Sequence, residues 1–477
     1  MRKFSLWLTV LLLLLQIPLV AGCSPQKQRN VYQISAQFSE NTLEAAMQFT
    51  FYNNQETALS SLSFNLYGNA YRKGAEYPPL TASNASAYYN GKSYGQMEIL
   101  SVSPCKGWEV GGEDENILRV ELSEEVFPEE SACITVEYRL TLAEVEHRTG
   151  VAKRSVNLGN FYPVLCAYEE GKGFYECVYS SNGDPFYSEC ADYDVTLKTD
   201  EKYVAASSGQ TVSAAREGFF VTYRYKLENA RDFALVLGEE YEVYQTQEDG
   251  VQILYCAYDG ENAEETLQIL SECITYFSDT FGDFPYKTYT AVQTGFCFGG
   301  MEYPGLVYLS DALSRKDLLY TAVHETAHQW WYAAVGNNEC EYAFLDEGLA
   351  EYSCYLFFSE YDDYGISAAD RLKMAHSACN ALVSVQEKVF GEADTSMNRP
   401  LSEYGAYEYV VIAYDKGMLL FDALRDAVGE RSFFSSLKRY YKQNEGKIAT
   451  PATLAAAFKN AGASGVIASF MDGSAIV

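Results

Sequence analysis

The chain has 477 residues, too many for a single hydrophobic core, so two or three domains are expected. Hydrophobic residues make up 48% and charged residues 21%, which excludes a disordered polymer. The formal net charge of −30 argues against nucleic acid as a partner and against adsorption to anionic lipid, since both would repel it.

In chain order, Arg2 and Lys3 precede an apolar run that reads as a secretory signal. The run ends in Leu19-Val20-Ala21-Gly22-Cys23, which resembles a bacterial lipobox. We expect residues 1–23 to be a lipoprotein signal peptide with Cys23 acylated. An uncleaved transmembrane helix is the competing reading, since about 20 apolar residues can span a bilayer. Small residues before the cysteine and a polar stretch after it favour lipidation. The expectation is a lipid-anchored protein outside the cytoplasm of a bacterium. Residues 24–31 read as a linker. Setting Cys23 aside leaves eleven scattered cysteines, an odd number that argues against a full disulfide framework. Cys166, Cys177 and Cys190 are close enough in sequence to include one bridge.

Residues 32–245 read as an antiparallel β domain. The segments 42–52, 133–142 and 219–227 alternate apolar and polar residues, and turn signals such as 180–185 (Ser-Ser-Asn-Gly-Asp-Pro) separate them. Many of the forty tyrosines fall here and suit half-buried sheet surfaces. The character changes near 246. One strand precedes a helical stretch that Gly282 should stop, and a further strand follows. A glycine-rich turn at 299–303 then leads into a short strand. A helix is expected from Asp317 to Val335, burying Leu319, Val323, Ala327, Trp331 and Val335 and capped by Gly336-Asn337. From 346 onward helices dominate, including 415–428, 431–443 and 451–461.

The predicted 317–335 helix carries His-Glu-x-x-His. His324 and His328 are four apart, so on a helix they share a face and can reach one ion, with Glu325 beside them as general base. Glu347, 19 positions after His328 at the start of a second helix, is the candidate third ligand. Three protein ligands leave a fourth tetrahedral position free, the mark of a catalytic zinc site, so one Zn2+ per chain is expected. Glu351, one turn further on, either supports the site or is a solvated helix carboxylate. His147 and His376 lie in no motif and read as surface or packing histidines.

The chain also resembles a known family, the zinc aminopeptidases related to aminopeptidase N and leukotriene hydrolase. The matching residues are His324 to His328, the 18-residue gap to Glu347, Gly299-Gly300-Met301-Glu302-Tyr303 and Tyr414-Asp415-Lys416-Gly417. The third set is similar to the family's Gly-x-Met-Glu-Asn exopeptidase motif and the last to its Tyr-Glu-Lys-Gly. The resemblance implies a fold in which the β domain precedes a thermolysin-like catalytic domain at 246–477, mixed α/β and then helical. It implies zinc-activated water with Glu325 as base, and Tyr414 stabilising the oxyanion. It implies that Gly299, Gly300, Met301 and Glu302 bind substrate, with Glu302 on the free α-ammonium of a peptide. Tyr303 stands where the family has asparagine. No residue matches the family's second amine-binding acid by motif, although Glu169, Glu170 and Glu189 lie in the region. The sequence ends without the large helical domain of many relatives, so a more open cleft is expected. An endopeptidase or other zinc hydrolase on the same scaffold is the alternative reading. A non-catalytic surface binding protein is a third, with less need of these motifs.

Overall fold

The computed structural model describes residues 28–458 and 463–475. The expected signal peptide and Cys23 lie outside the described residues. The first half is built on a seven-stranded sheet. Its strands are β1 (Asn30–Ser39), β2 (Thr42–Tyr52), β3 (Gln96–Ser103), β4 (Ser131–Thr141), β5 (Ala191–Asp200), β6 (Gln210–Glu217) and β7 (Phe220–Ala230), in the order β6-β7-β5-β1-β2-β4-β3. The alternation read from sequence is the physical cause of its two faces. Tyr32, Ile34, Ala36 and Phe38 of β1 point into the core, and the residues between them face outward. The expected strands at 42–52, 133–142 and 219–227 are found within a few residues. One pairing departs from the antiparallel expectation: β1 runs parallel to β5, with Ile34 opposite Val195. A parallel neighbour needs a long connection, and about a third of the chain supplies it. Two four-stranded sheets, containing the strands Leu59–Asn65 and Leu235–Gly238, and a two-stranded one of Tyr168–Glu169 and Gly173–Phe174 complete this half among the described residues.

The second half opens with a five-stranded sheet of β8 (Glu242–Glu248), β9 (Val251–Ala257), β10 (Thr288–Thr294), β11 (Gly300–Met301) and β12 (Leu306–Ser310), ordered β8-β9-β10-β12-β11. β8 pairs only within this sheet. β9, β10 and β12 are parallel and buried on both faces. Ile253, Tyr255, Tyr289, Ala291, Val307 and Leu309 meet the helices, while Cys256, Val292, Leu306 and Tyr308 join the core of the first half. The sheet is thus the wall that both halves share.

The helices are α1 (Ala263–Thr280), α2 (Arg315–Ala327), α3 (Glu347–Glu360), α4 (Ala368–Phe390), α5 (Gly417–Val428), α6 (Glu430–Asn444), α7 (Pro451–Phe458) and α8 (Ser464–Met471). A π-helical segment, Val410–Lys416, runs directly into α5. Arg231 ties the halves together from a fully buried position. Its guanidinium donates to the carbonyls of Tyr332 at 2.8 Å, Ser188 at 3.0 Å and Ala334 at 3.3 Å, and to that of Lys447.

Candidate active site

The helix α2 starts at Ser314, whose hydroxyl accepts from the Asp317 amide, and ends at Ala327, well short of the expected Val335. The expected buried stripe is present, but Trp331 and Val335 reach it from a wide turn. Amides 333, 334 and 335 bond five residues back, to the carbonyls of His328, Gln329 and Trp330. Tyr332 at φ 145° breaks the helical path, a conformation seldom adopted by a residue with a Cβ. Val335-Gly336 forms a two-residue strand beside Lys447-Ile448, where a helix cap was expected. The turn has a use at the site. It brings the Trp331 carbonyl to 2.9 Å from His328 Nδ1, which directs Nε2 of that ring inward.

His324 Nε2 and His328 Nε2 lie 3.1 Å apart, and Glu347 Oε2 is 3.2 Å from the first and 3.3 Å from the second. Glu347 opens α3, and all three side chains are buried. Glu351, one turn on, has Oε1 3.2 Å from His324 Nδ1. Its other oxygen accepts from Tyr320 at 2.6 Å and from Arg371 at 2.8 Å, and Arg371 donates onward to Asp415 at 2.6 Å. Glu351 is therefore not a solvated carboxylate. It orients His324 and is itself held. Tyr414 donates from its hydroxyl to Glu347 Oε1 and stacks on the His324 ring at 5.9 Å. Its place follows from a close backbone approach, because a Cβ on Gly348 would fall 2.7 Å from Gly417 Cα. The start of α3 and the start of α5 touch where neither has a side chain.

These groups line a cleft of about 430 Å3. Glu325 faces it with Oε2 unpartnered, and a Cβ on Gly300 would crowd its other oxygen, so a larger residue there would have to displace the Glu325 carboxylate. Burial pushes the Glu325 carboxyl up to about 7 against the lowering influence of His324 and His328. Glu302 also lines the cleft, 4% exposed, with Oε1 unpartnered. Burial first, then Asp184, Glu325 and Glu347, hold its carboxyl well above the usual range. Gly299 and Gly300 form the adjoining ledge. Met301 does not line it. As its neighbours face the cleft, its side chain points into the core of the first half, where Arg148 Nε lies 3.3 Å from the sulfur. Tyr303 also points away, donating at 3.1 Å to Asn160 Oδ1, so the departure from asparagine serves packing between halves.

Glu169, Glu170 and Glu189 do not line the cleft; Asp184 does. It sits in the 180–185 turn and pairs with buried Arg148, which also donates to the Gly183 carbonyl at 2.9 Å. Arg148 lines the cleft as well, packed over Phe186 and Phe298. Both were missed in the sequence. The Asn182-Gly183-Asp184-Pro185 turn was the signal, and its spacing carries no chemistry by itself. His147 is a packing histidine, fully buried with Nδ1 2.6 Å from the Tyr71 hydroxyl, while His376 is exposed on α4.

Residues 265–473 match the peptidase family M1 domain. Two curated rice relatives, Aminopeptidase M1-D and Aminopeptidase M1-C from Oryza sativa subsp. japonica, are each 24% identical over 279 residues. That stretch is 53% of this chain and 30% of each relative, so the chain spans less than a third of their length. Among solved structures, the M1 zinc metallopeptidase of Deinococcus radiodurans superposes with a TM-score of 0.64 at 17% identity, covering 94% of both chains. A mutant of it bound to Tyr-Ser-Ala gives 0.63, also at 17% identity, covering 94% of this chain and 95% of that one. The chain therefore shares the fold of that solved structure, a β half joined to a helical half. The second half of the chain is thus similar to the peptidase family M1 domain.

Proposed function

We propose that the protein is a zinc-dependent aminopeptidase that removes the first residue from peptides. The observation that carries this reading is one buried convergence. Three ligand atoms lie within 3.3 Å of one another beside a carboxylate with an unpartnered oxygen, and two more carboxylates close the same cleft. Two imidazole nitrogens and one carboxylate oxygen are a donor set that suits zinc. The outward nitrogens of both rings already face oxygen atoms, which leaves Nε2 free to ligate. Zinc held by His324, His328 and Glu347 would supply Lewis-acid activation of water and of the scissile carbonyl.

The chain's own residues do the rest. Glu325 accepts a proton from the attacking water and hands it to the leaving amine. Tyr414 donates to the oxygen that becomes negative as the carbonyl turns tetrahedral, a contribution of about 3–4 kcal/mol. Glu302 and Asp184 receive the α-ammonium of the substrate, which restricts cleavage to the first bond. Gly299 and Gly300 leave room for an extended peptide along the ledge. The set His324, His328 and Glu347 supports one zinc per chain, since the other grouping, Glu302, Glu325 and His328, shares His328 with it. The N-terminal sequence supports a lipid on Cys23 and a site of action outside the cytoplasm on a bacterial membrane. No described helix is long and apolar enough to cross a membrane.

Aminoacyl anilides test this directly. A chelator should abolish their hydrolysis and added zinc restore it. Glu325→Gln should retain the metal and lose about 10²–10⁴-fold in kcat. Near-normal turnover in that variant would end the mechanism. Equal cleavage of N-acetylated and free peptides would instead replace the aminopeptidase by an endopeptidase.

A further inference from the structure

Cys177 and Cys340 are 163 positions apart, yet their sulfurs lie 2.9 Å from each other. Cys177 is 3% exposed and Cys340 8%. All eleven cysteines among the described residues are free thiols, and the sequence left open a bridge within Cys166, Cys177 and Cys190. Cys177 instead faces a cysteine from the other half of the chain. Its segment continues into the 180–185 turn that carries Asp184, and its sulfur lies 3.3 Å from the Pro185 carbonyl. Cys340 sits in the one-turn helix Glu339–Tyr342, between the two metal-binding helices. A second contact joins the same segments, since Tyr175 donates to Glu341 at 2.9 Å.

We propose that Cys177 and Cys340 form a disulfide that fastens the Asp184 wall to the segment between α2 and α3. The sulfurs are closer than two unbonded thiols rest comfortably, and bonding needs them to close to about 2.05 Å. The step is a thiol–disulfide exchange. The two thiols lose two protons and two electrons as the S–S bond forms, and an external disulfide takes both electrons and is cleaved to two thiols. A small-molecule disulfide or an exchange protein outside the cytoplasm would serve as that oxidant. The Cys177 thiol as hydrogen-bond neighbour, together with burial, holds the Cys340 thiol well above its usual range, so few thiolates exist in the folded state. The bond therefore forms as the chain folds and is then shielded from reductant. Nothing in this depends on the peptidase reading.

The test is to refold the full chain in a buffer of reduced and oxidised glutathione, trap remaining thiols under denaturing conditions, and map peptides by mass. The expected product links the Cys177 peptide to the Cys340 peptide, with the other described cysteines alkylated. Alkylation of both, or linkage of either to a different cysteine, would overturn the proposal. As a second measurement, the oxidised chain should melt about 5 °C above the reduced chain. Cys340→Ala should melt at one temperature in either buffer, and a redox difference that persists in it would also refute the assignment.

Discussion

At the scale of single residues, the cleft is defined by what its side chains lack. Glu302 and Glu325 each bury an oxygen without a partner, a costly state that a cationic ligand would relieve. Tyr414 has the opposite problem, because its one proton is committed to Glu347 in this structure, and the proposed mechanism requires it to turn to the substrate. Tyr414→Phe should therefore lower kcat about 10²–10³-fold with little change in KM, as steady-state kinetics would show. An equal rise in KM alone would make the residue a binding group. His324, Glu325 and His328 were legible in the sequence because helical spacing brings them together locally, and Glu347 through its place at the start of the next helix. Tyr414 was legible only through its Asp-Lys-Gly neighbours. Arg148 and Asp184 were not legible, since they meet the others only after a β turn is packed against the catalytic half.

At the scale of elements, strands were legible where one face is buried, as in β1 and β2, and the end of α2 was not. Its apolar stripe continues at helical period to Val335, and the wide turn that replaces the last two turns is set by tertiary bonds to 447–448 and Arg231. The π-helical segment escaped for the same reason. Its sequence reads as ordinary helix, and the extra residue per turn is imposed by what surrounds it. Such wide turns often mark functional sites, and this one carries Tyr414. Deleting Ile412 should tighten the segment to α-helical pitch and swing the phenol away from Glu347. We expect kcat to drop by about 100-fold or more, with the far-UV circular dichroism unchanged. Full activity in that deletion would show that the wide turn has no part in placing the phenol.

For the whole molecule, the seam between halves carries a second polar cluster away from the cleft. Asp232 is buried there, accepting from Tyr162 at 2.8 Å, Phe233 N at 2.6 Å and Asn160 at 2.5 Å. Burial outweighs these bonds and raises its carboxyl to about 7. The folded chain then holds a proton that the unfolded chain releases near pH 4, so this residue's contribution to stability declines from about pH 4 to 7 and is level above. Asp232→Asn adds a constant cost but cannot titrate. Urea midpoints from pH 5 to 8 should show the variant gaining on the parent as pH rises, by on the order of 2–4 kcal/mol over the full window. A gap independent of pH would refute the assignment. The sequence showed two halves of different character and hid this seam, because Arg231, Asp232 and Tyr303 are ordinary residues until the halves meet.

The contact between Gly348 and Gly417 has a consequence for how the protein can vary. The span from Glu347 to Tyr414 is measured by two backbones in touch, so it is fixed by bulk that is missing. Neither glycine has a reactive group, yet together they act as a gauge block for the pair to which the proposed mechanism gives the chemistry. A methyl group at either would wedge α3 from α5 and lengthen the reach of the phenol, while every reactive group stayed in place. In a library of random variants, the inactive clones with intact folds and full metal content should therefore map to these two silent positions as well as to the residues that react.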